Sequence, residues 1–135
     1  MLFFKKNHNI RVMEYTYGII RNYKIIEVKV YGNLDTRETA LMGKTIRLKA
    51  EELNYKILFD FTQARNKISI AEAYFWFADH YDKIDTNLRY IPTAHLSNEE
   101  DRSFFSFCET TCYNKCIKIK MFMEKEKALE WLQLC

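Results

Sequence analysis

The sequence predicts an α/β domain in which a mostly parallel sheet is covered by helices. The chain has 135 residues, of which 48% are hydrophobic and 16% aromatic, and this is enough for the core of one domain. Strand-like and helix-like segments follow one another in the order β-β-α-β-α-β-α-β-α. Because strand and helix alternate after the first two strands, we expect the last four strands to be parallel and the crossovers between them to be right-handed. Residues 1–14 are expected to be an N-terminal extension, and residues 15–135 the domain.

The first two predicted strands form a hairpin. Residues 15–21 and 25–31 are rich in β-branched and aromatic residues and are separated by three residues, which favours a hairpin. In the second run, Ile26, Val28 and Val30 alternate with polar or aromatic residues. This alternation predicts one buried and one solvent-exposed face, and the strand is expected to end at Gly32.

Capping pairs mark the starts of three of the four predicted helices. In such a pair, the first side chain accepts a hydrogen bond from the backbone N–H three residues later. The side chain of a Glu at that later position accepts a hydrogen bond from the backbone N–H of the first residue. The pairs are Asp35 with Glu38, Ser69 with Glu72, and Ser97 with Glu100. They predict helices that end near residues 53, 84 and 114, and a last helix spans residues 124–134.

The third predicted strand is expected to be the central one. Residues 56–61 are short and nearly all apolar, which is typical of a strand covered on both faces. Polar residues 62–67 are expected to form a loop. Residues 88–96 are expected to form the next strand, in which Pro92 removes a hydrogen-bond donor and marks an irregular or edge position. Residues 117–121 are predicted to form the last strand, which is expected to be half-exposed.

Composition excludes several classes of function. The net charge is +3 without a basic block, so there is no electrostatic case for nucleic acid. No apolar run is long enough for a membrane span, and the apolar N-terminal run ends at Lys5, too early for a secretory signal. The four cysteines all fall in the last 28 residues rather than forming a framework of disulfides. We therefore expect a reducing, cytoplasmic setting.

Neither a nucleotide nor a metal site is indicated. The run Gly43-Lys44-Thr45 resembles the end of a P-loop, but it lies inside a predicted helix and lacks the first glycine. Cys108, Cys112 and Cys116 have the spacing i, i+4, i+8 and could offer soft ligands. Tetrahedral sites favour closer pairs joined by a turn, so Cys108 and Cys112 are interpreted as core residues. No metal or cofactor is expected.

Acid–base chemistry has three candidate residues. Asp60 with His80 or His95 could serve a small enzyme, but no Ser or Cys stands at a recognisable nucleophile turn. Asp60 and Thr62 lie near the end of the buried strand, where open α/β sheets bind ligands. Both residues are therefore candidates for contact with a ligand or at an interface. The alternative is that the Asp60 carboxylate forms a hydrogen bond with a neighbouring loop. No catalytic residue is predicted.

The second predicted helix carries more apolar surface than one face can bury. Phe75 and Trp76 fall outside its main apolar stripe, which is Ile70, Ala73, Phe77, Tyr81 and Ile84. A second subunit in a homodimer, an apolar ligand or adjacent loops could cover them. The alternative function is a carrier of an apolar or lipid-like small molecule, with Phe59, Phe75 and Phe77 as walls.

Two segments resemble a known family. Residues 28–35, Val-Lys-Val-Tyr-Gly-Asn-Leu-Asp, carry a strand through a G-x-L-D turn into a helix, which resembles the opening of STAS domains. Residues 122–132, which end in A-x-x-W-L, resemble the closing strand and helix of the SpoIIAA-like (STAS/SEC14-type) branch. With the element order, the resemblance covers residues 15–134.

The resemblance implies a SpoIIAA-like fold and a non-enzymatic regulatory module. Members of this superfamily act mainly by binding partner proteins, and some relatives hold small or lipid-like ligands. The antagonist branch has a phosphorylatable Ser at the N-terminus of the helix after the central strand. Ser69 is the matching position here, although its neighbours differ from the Asp-Ser-Ser-Gly run of that branch. Ser69 is therefore a candidate phosphorylation site or helix N-cap.

Overall fold

A five-stranded sheet organises the fold. The computed structural model describes residues 12–80 and 89–135, with side chains for all of these except residues 76–80. A short 3-10 helix, Arg21–Tyr23, joins the first two strands. The remaining elements are β1 (Glu14–Ile20), β2 (Ile25–Leu34), α1 (Thr36–Leu53), β3 (Lys56–Asn66), α2 (Ile70–His80), β4 (Thr93–Leu96), α3 (Arg102–Asn114), β5 (Ile119–Phe122) and α4 (Lys125–Leu134).

The strand order confirms the predicted topology. The strands lie in the order β1-β2-β3-β4-β5. β1 is antiparallel to β2, and every later pair is parallel. β3 is therefore the central strand, as its apolar sequence predicted. Glu14, which we expected in the N-terminal extension, is the first residue of β1, and Met13 packs against the core.

The sheet separates two hydrophobic clusters. On one face, side chains from α1, α2 and α3 pack on the sheet; this larger cluster includes Ile26, Val28, Met42, Ile46, Ile57, Phe59, Ala73, Phe105 and Cys112. On the other face, α4 covers a smaller cluster of Ile25, Leu58, Ala94, Leu96, Ala128 and Leu132. The alternation of Ile57, Leu58 and Phe59 between the clusters follows from the two-residue period of a strand. Both faces of β3 are therefore buried.

Helix α1 forms as its sequence predicted. Asp35 Oδ1 accepts a hydrogen bond from the Glu38 N–H at 2.8 Å, which satisfies one of the free donors at the helix start. Met42, Ile46 and Ala50 recur at helical spacing and are buried. The helix ends at Leu53, and Asn54 adopts the left-handed conformation common after a helix.

Two strands run further than predicted. β2 does not end at Gly32 but passes through it to Leu34. Gly32 has a φ of +84°, and a Cβ atom there would lie 2.3 Å from the Val12 carbonyl oxygen, so the position requires glycine. β3 continues through the expected loop, residues 62–67, as far as Asn66, because its distal half pairs with the distal half of β2. The polar side chains that suggested a loop include exposed strand positions.

Strands β4 and β5 are shorter than predicted. The predicted strand 88–96 is a strand only over Thr93–Leu96, so it begins directly after Pro92. The Pro92 carbonyl accepts a hydrogen bond from the Ile57 N–H at 3.0 Å. β5 begins at Ile119 rather than at residue 117 and reaches Phe122.

The predicted capping pair Ser97 and Glu100 does not form. Ser97 is buried, and its hydroxyl donates to the Asn98 carbonyl at 2.7 Å. Asn98 Oδ1 instead accepts from the Asp101 N–H at 2.8 Å, and α3 begins at Arg102. Asp101 Oδ2 accepts from the Asn66 N–H at 2.9 Å. The start of α3 is therefore fixed by contacts with β3, which lies far away in sequence.

The helices of residues 12–80 and 89–135 include none with the length and apolar character needed to cross a membrane.

Candidate interaction surface

The first turn of α2 is fixed by reciprocal hydrogen bonds. Ser69 Oγ accepts from the Glu72 N–H at 3.0 Å, and Glu72 Oε1 accepts from the Ser69 N–H at 3.3 Å. Glu72 Oε2 also accepts from the Thr36 hydroxyl at 3.0 Å. The start of α2 is therefore capped and tied to the start of α1.

The N-terminal half of α2 exposes a group of large apolar side chains. Ile70 is 46% exposed, Tyr74 is 59% exposed and Phe75 is 67% exposed. The Tyr74 and Phe75 rings contact each other edge to face, with centroids 5.6 Å apart. We call these three residues the α2 patch. Ala73, in contrast, is buried against the sheet.

The placement of Ile70 in the buried stripe of α2 was wrong. Ile68, which precedes the helix, is buried in the larger cluster instead, and Ser69 between them is exposed. The capping bonds of Ser69 orient the first turn so that Ile70 points away from the sheet. Trp76, Phe77 and His80, to which the sequence assigned interface, wall and acid–base roles, lie outside the residues whose side chains are described.

Asp60 and Thr62 are joined by two hydrogen bonds within β3. Asp60 Oδ1 accepts from the Thr62 N–H at 2.9 Å and from the Thr62 hydroxyl at 2.6 Å. The pairing of β2 and β3 shifts here, from Lys29 opposite Asp60 to Tyr31 opposite Gln63. β3 thus carries one extra residue, which is a β-bulge. The Asp60 carboxylate therefore bonds to the backbone and side chain beside that bulge.

Asp60 and His95 cannot act as a catalytic pair. Phe59 pairs with His95 across β3 and β4, and their rings meet edge to face at 5.8 Å. Asp60 pairs with Leu96, which belongs to the cluster on the opposite face. Because neighbouring strand residues point to opposite faces, Asp60 and His95 lie on opposite sides of the sheet. The hypothesis of an enzyme that uses these two residues together is wrong.

The cysteines are free and separate into buried and exposed groups. Cys108 and Cys112 are buried, whereas Cys116 is exposed beyond the end of α3. Burial raises the pKa of the Cys108 thiol, and the neighbouring Cys112 raises it further. Over residues 12–80 and 89–135, no group of three or more His, Cys, Asp or Glu residues is arranged to hold a metal ion.

A small cavity lies inside the larger cluster, and Phe59, one of the walls expected for a carrier, lines it. It has a volume of about 80 Å³ and is lined by side chains from α1, α2, α3 and the sheet, including Phe59, Phe61, Phe105, Arg47 and His95. Ligand pockets for drug-sized molecules have volumes of about 300 Å³ or more. The cavity is too small for a lipid-like molecule, and Phe75, an expected wall residue, lies on the outer surface instead.

A second apolar surface lies at the edge of the sheet. Tyr15, Tyr17 and Ile19 recur at every second residue of β1 and are 36%, 48% and 41% exposed. β1 is the first strand of the sheet and pairs only with β2 among the described strands. The alternation of these residues is visible in the sequence, but the sequence analysis assigned them no role.

Neither a protein-family model nor a curated protein sequence matches the chain. Two solved structures are similar to it. An anti-sigma factor antagonist from Mycobacterium paratuberculosis superposes with a TM-score of 0.57 at 9% identity, over 90% of this chain and 95% of that one. An uncharacterised protein of the DUF3478 family with a SpoIIAA-like fold, from Shewanella loihica PV-4, superposes with a TM-score of 0.58 at 16% identity, over 92% of this chain and 96% of that one.

The fold resemblance that two short segments and the element order indicated is thus confirmed over nearly the whole length of the chain. This protein has the SpoIIAA-like fold of STAS-like domains.

Proposed function

We propose that this chain is a non-enzymatic regulatory module that binds a partner protein through the α2 patch. The observation that carries the proposal is the exposure of Ile70, Tyr74 and Phe75 side by side on one helix. Contiguous apolar surface of this kind on a monomer is typical of interaction sites. The structural similarity to an anti-sigma factor antagonist supports a regulatory role rather than a catalytic one.

The α2 patch is suited to protein recognition because its helix is held in place. The capping bonds of Ser69 and the bond from Thr36 to Glu72 fix the first turn. Aromatic side chains on a rigid element lose little conformational entropy on binding, and they are enriched among the residues that dominate interface energies. Tyr74 and Phe75 are therefore the expected anchors.

Ser69 is the proposed control point of the α2 patch. Its hydroxyl is exposed, and it accepts the hydrogen bond that caps α2. A phosphate on Ser69 would add up to about two negative charges beside the Glu72 carboxylate, which accepts from the Ser69 N–H. The helix dipole would attract the phosphate, but the existing cap would be disturbed. Phosphorylation would thus alter the turn that presents Ile70.

The partner is proposed to be cytoplasmic and to be either a second copy of this chain or a different protein. All four cysteines are free, which supports a reducing compartment. A homodimer through the α2 patch would bury Phe75 of both copies. A different partner would leave the α2 patch exposed on the free chain.

Partner capture with two matched variants tests the proposal. The immobilised chain is compared with Phe75→Ser and with Tyr113→Ser, which removes an exposed ring, 78% exposed, from α3. Proteins retained from native host lysate are quantified by mass spectrometry, and the mass of each purified variant is measured by sedimentation at high concentration. The proposal predicts that Phe75→Ser abolishes either capture of a specific protein or self-association, whereas Tyr113→Ser leaves both unchanged. Equal behaviour of the two variants would refute it.

A further inference from the structure

The two edges of the sheet are protected differently. Along β5, the Met121 N–H donates to Glu109 Oε2 at 2.8 Å, and the Ile119 N–H donates to the Ile117 carbonyl at 3.0 Å. Residues 14–19 of β1 are all exposed, and among the described residues no side chain or loop is bonded to the outer backbone of this strand. Proteins normally block a sheet edge, because its unpaired backbone groups can accept another strand. The outer edge of β1 is therefore a place where a strand can add.

The backbone of every second residue of β1 points to this outer edge. The Lys24 carbonyl accepts from the Lys56 N–H of β3 at 3.0 Å, so the Ile25 N–H, on the other side of the same planar peptide, points towards β1. Ile25 lies opposite Ile20 in the antiparallel pair. Hydrogen-bonded and non-hydrogen-bonded pairs alternate along such a pair of strands. The even-numbered residues of β1 therefore bond to β2, while the N–H and C=O groups of the odd-numbered residues point outwards; these residues are Tyr15, Tyr17 and Ile19.

We propose that a second copy of this chain adds to this edge, so that the two β1 strands pair antiparallel about a two-fold axis at Tyr17 and the two sheets become one. This register pairs Tyr17 with Tyr17 of the second copy, and Tyr15 with Ile19 of the second copy. Every outward N–H and C=O group of these residues then gains a partner. A shift by one residue would place outward groups opposite groups that already bond to β2, and a shift by two would leave part of the edge unpaired. The register therefore follows from the strand itself.

The side chains of β1 fit a second copy of the same strand. Tyr15, Tyr17 and Ile19 lie on the face that α1 covers, because their partners in β2 belong to the larger cluster. A two-fold axis perpendicular to the sheet keeps this face common to both copies, so the two Tyr17 rings become cross-strand neighbours, and such aromatic pairs stabilise sheets. Residues 15–20 carry no charge, and Glu14 and Arg21 flank them. Antiparallel pairing brings Glu14 of one copy to the end at which Arg21 of the other lies, so the charges are complementary.

Helix α1 supplies apolar surface beside the paired strands. Leu48 is 47% exposed and lines a surface groove together with Tyr17. Leu41, two turns earlier on α1, is 52% exposed. Pairing of two short strands alone buries less area than a stable interface, which needs about 1,000 Å² or more. The apolar side chains of both α1 helices, on either side of the axis, add to that area.

A dimer through β1 leaves the α2 patch free. α2 belongs to the crossover between β3 and β4, whereas β1 is the first strand of the sheet. The joined sheet would therefore present two α2 patches. Of the two occupants proposed for the α2 patch, this arrangement favours a different protein.

Sedimentation velocity of the full chain over a range of concentrations tests the proposal. The mass should rise to that of two chains. Tyr17→Lys places two like charges opposite each other at the axis and should raise the dissociation constant of the dimer at least about tenfold. Tyr113→Lys is the matched control, since it makes the same change at a ring on α3 that is 78% exposed; its dissociation constant should equal that of the unmodified chain.

Two further measurements test the register. Tyr17→Pro removes the outward N–H but no hydrogen bond to β2, and edge strands tolerate proline; this change should also weaken the dimer at least about tenfold. In a mixture of isotope-labelled and unlabelled chains, an intermolecular NOE is expected between the Hα atoms of Thr16 and Gly18, because these residues form a close non-hydrogen-bonded pair in this register.

The proposal is overturned if the chain has the mass of one copy at every concentration, if Tyr17→Lys and Tyr113→Lys dimerise equally well, or if the dimer lacks the NOE. Loss of the dimer in Phe75→Ser but not in Tyr17→Lys would also overturn it, by assigning self-association to the α2 patch. None of these outcomes decides whether a different protein binds the α2 patch, which the capture experiment tests.

Discussion

Helices α1 and α2 begin in the same way and differ in what they bury. Each has a capping residue whose side chain accepts from the N–H three residues later, Asp35 in α1 and Ser69 in α2. α1 then buries Met42, Ile46 and Ala50 against the sheet. The first half of α2 buries Ala73 but exposes the α2 patch. Local capping therefore decides where a helix starts, while tertiary packing decides which apolar residues remain available to a partner.

The largest expected difference between α1 and α2 is in how much their apolar side chains contribute to the free energy of unfolding. Ile46→Ala removes a fully buried side chain and should lower the free energy of unfolding by about 2 to 5 kcal/mol. Phe75→Ala removes a larger but exposed side chain and should change it by less than about 0.5 kcal/mol. Urea denaturation measures both. A cost for Phe75→Ala comparable to that of Ile46→Ala would mean that the patch is covered within the chain and would remove the basis of the proposed interface.

The buried layer beneath α1 should respond to pH through His95. Its folded pKa of about 3 lies below the ordinary value of about 6.5, so the unfolded chain takes up the proton first as the pH falls. The contribution of His95 to the free energy of unfolding is therefore fully present above pH 6.5 and decreases as the pH falls towards 3. About 2 kcal/mol of it is lost between pH 7 and pH 5. Of the neighbouring groups lining the cavity, Arg47 stays charged, and Cys108, with its raised thiol pKa, stays neutral.

Comparison with His95→Leu isolates this effect from the titration of other groups. The variant should lose about 2 kcal/mol less than the unmodified chain between pH 7 and pH 5 in urea denaturation. Parallel pH profiles would show that His95 is accessible to protons in the folded state, which is incompatible with a neutral imidazole in the cavity.

The smallest expected effect concerns the cap of α2. Ser69→Ala removes the bond to the Glu72 N–H and should lower the free energy of unfolding by about 1 kcal/mol. Ser106→Ala is the control, because Ser106 is exposed within α3 and caps no helix; its effect should stay within about 0.5 kcal/mol. If the two variants have equal stability, the start of α2 is not fixed by Ser69, and control through this residue loses its physical basis.

Much of the fold was predictable because it depends on local patterns. The apolar run of β3 identified the central strand, and the capping residues Asp35 and Ser69 located the starts of α1 and α2. The predictions failed where distant segments decide the structure. The distal half of β3 is a strand because β2 pairs with it, and α3 starts where Asn98 and Asn66 meet Asp101.

The candidate site was less predictable than the fold. Phe75 was correctly placed outside the buried stripe, but Ile70 joins it on the surface because Ile68 takes the core position. The cavity brings Arg47 of α1 beside His95 of β4, 48 residues apart by number. The two residues come together only because the chain crosses from one strand to the next through helices. Their spacing in the sequence does not indicate that they are neighbours.

Hydrogen–deuterium exchange of the chain with and without its captured partner tests the central claim most directly. If α2 carries the interface, the amides of residues 70–75 become protected in the complex, while those of β1, whose Tyr15, Tyr17 and Ile19 form the rival apolar surface, keep their exchange rates. Protection confined to β1, with α2 unchanged, would contradict the account and assign the interaction to the edge of the sheet.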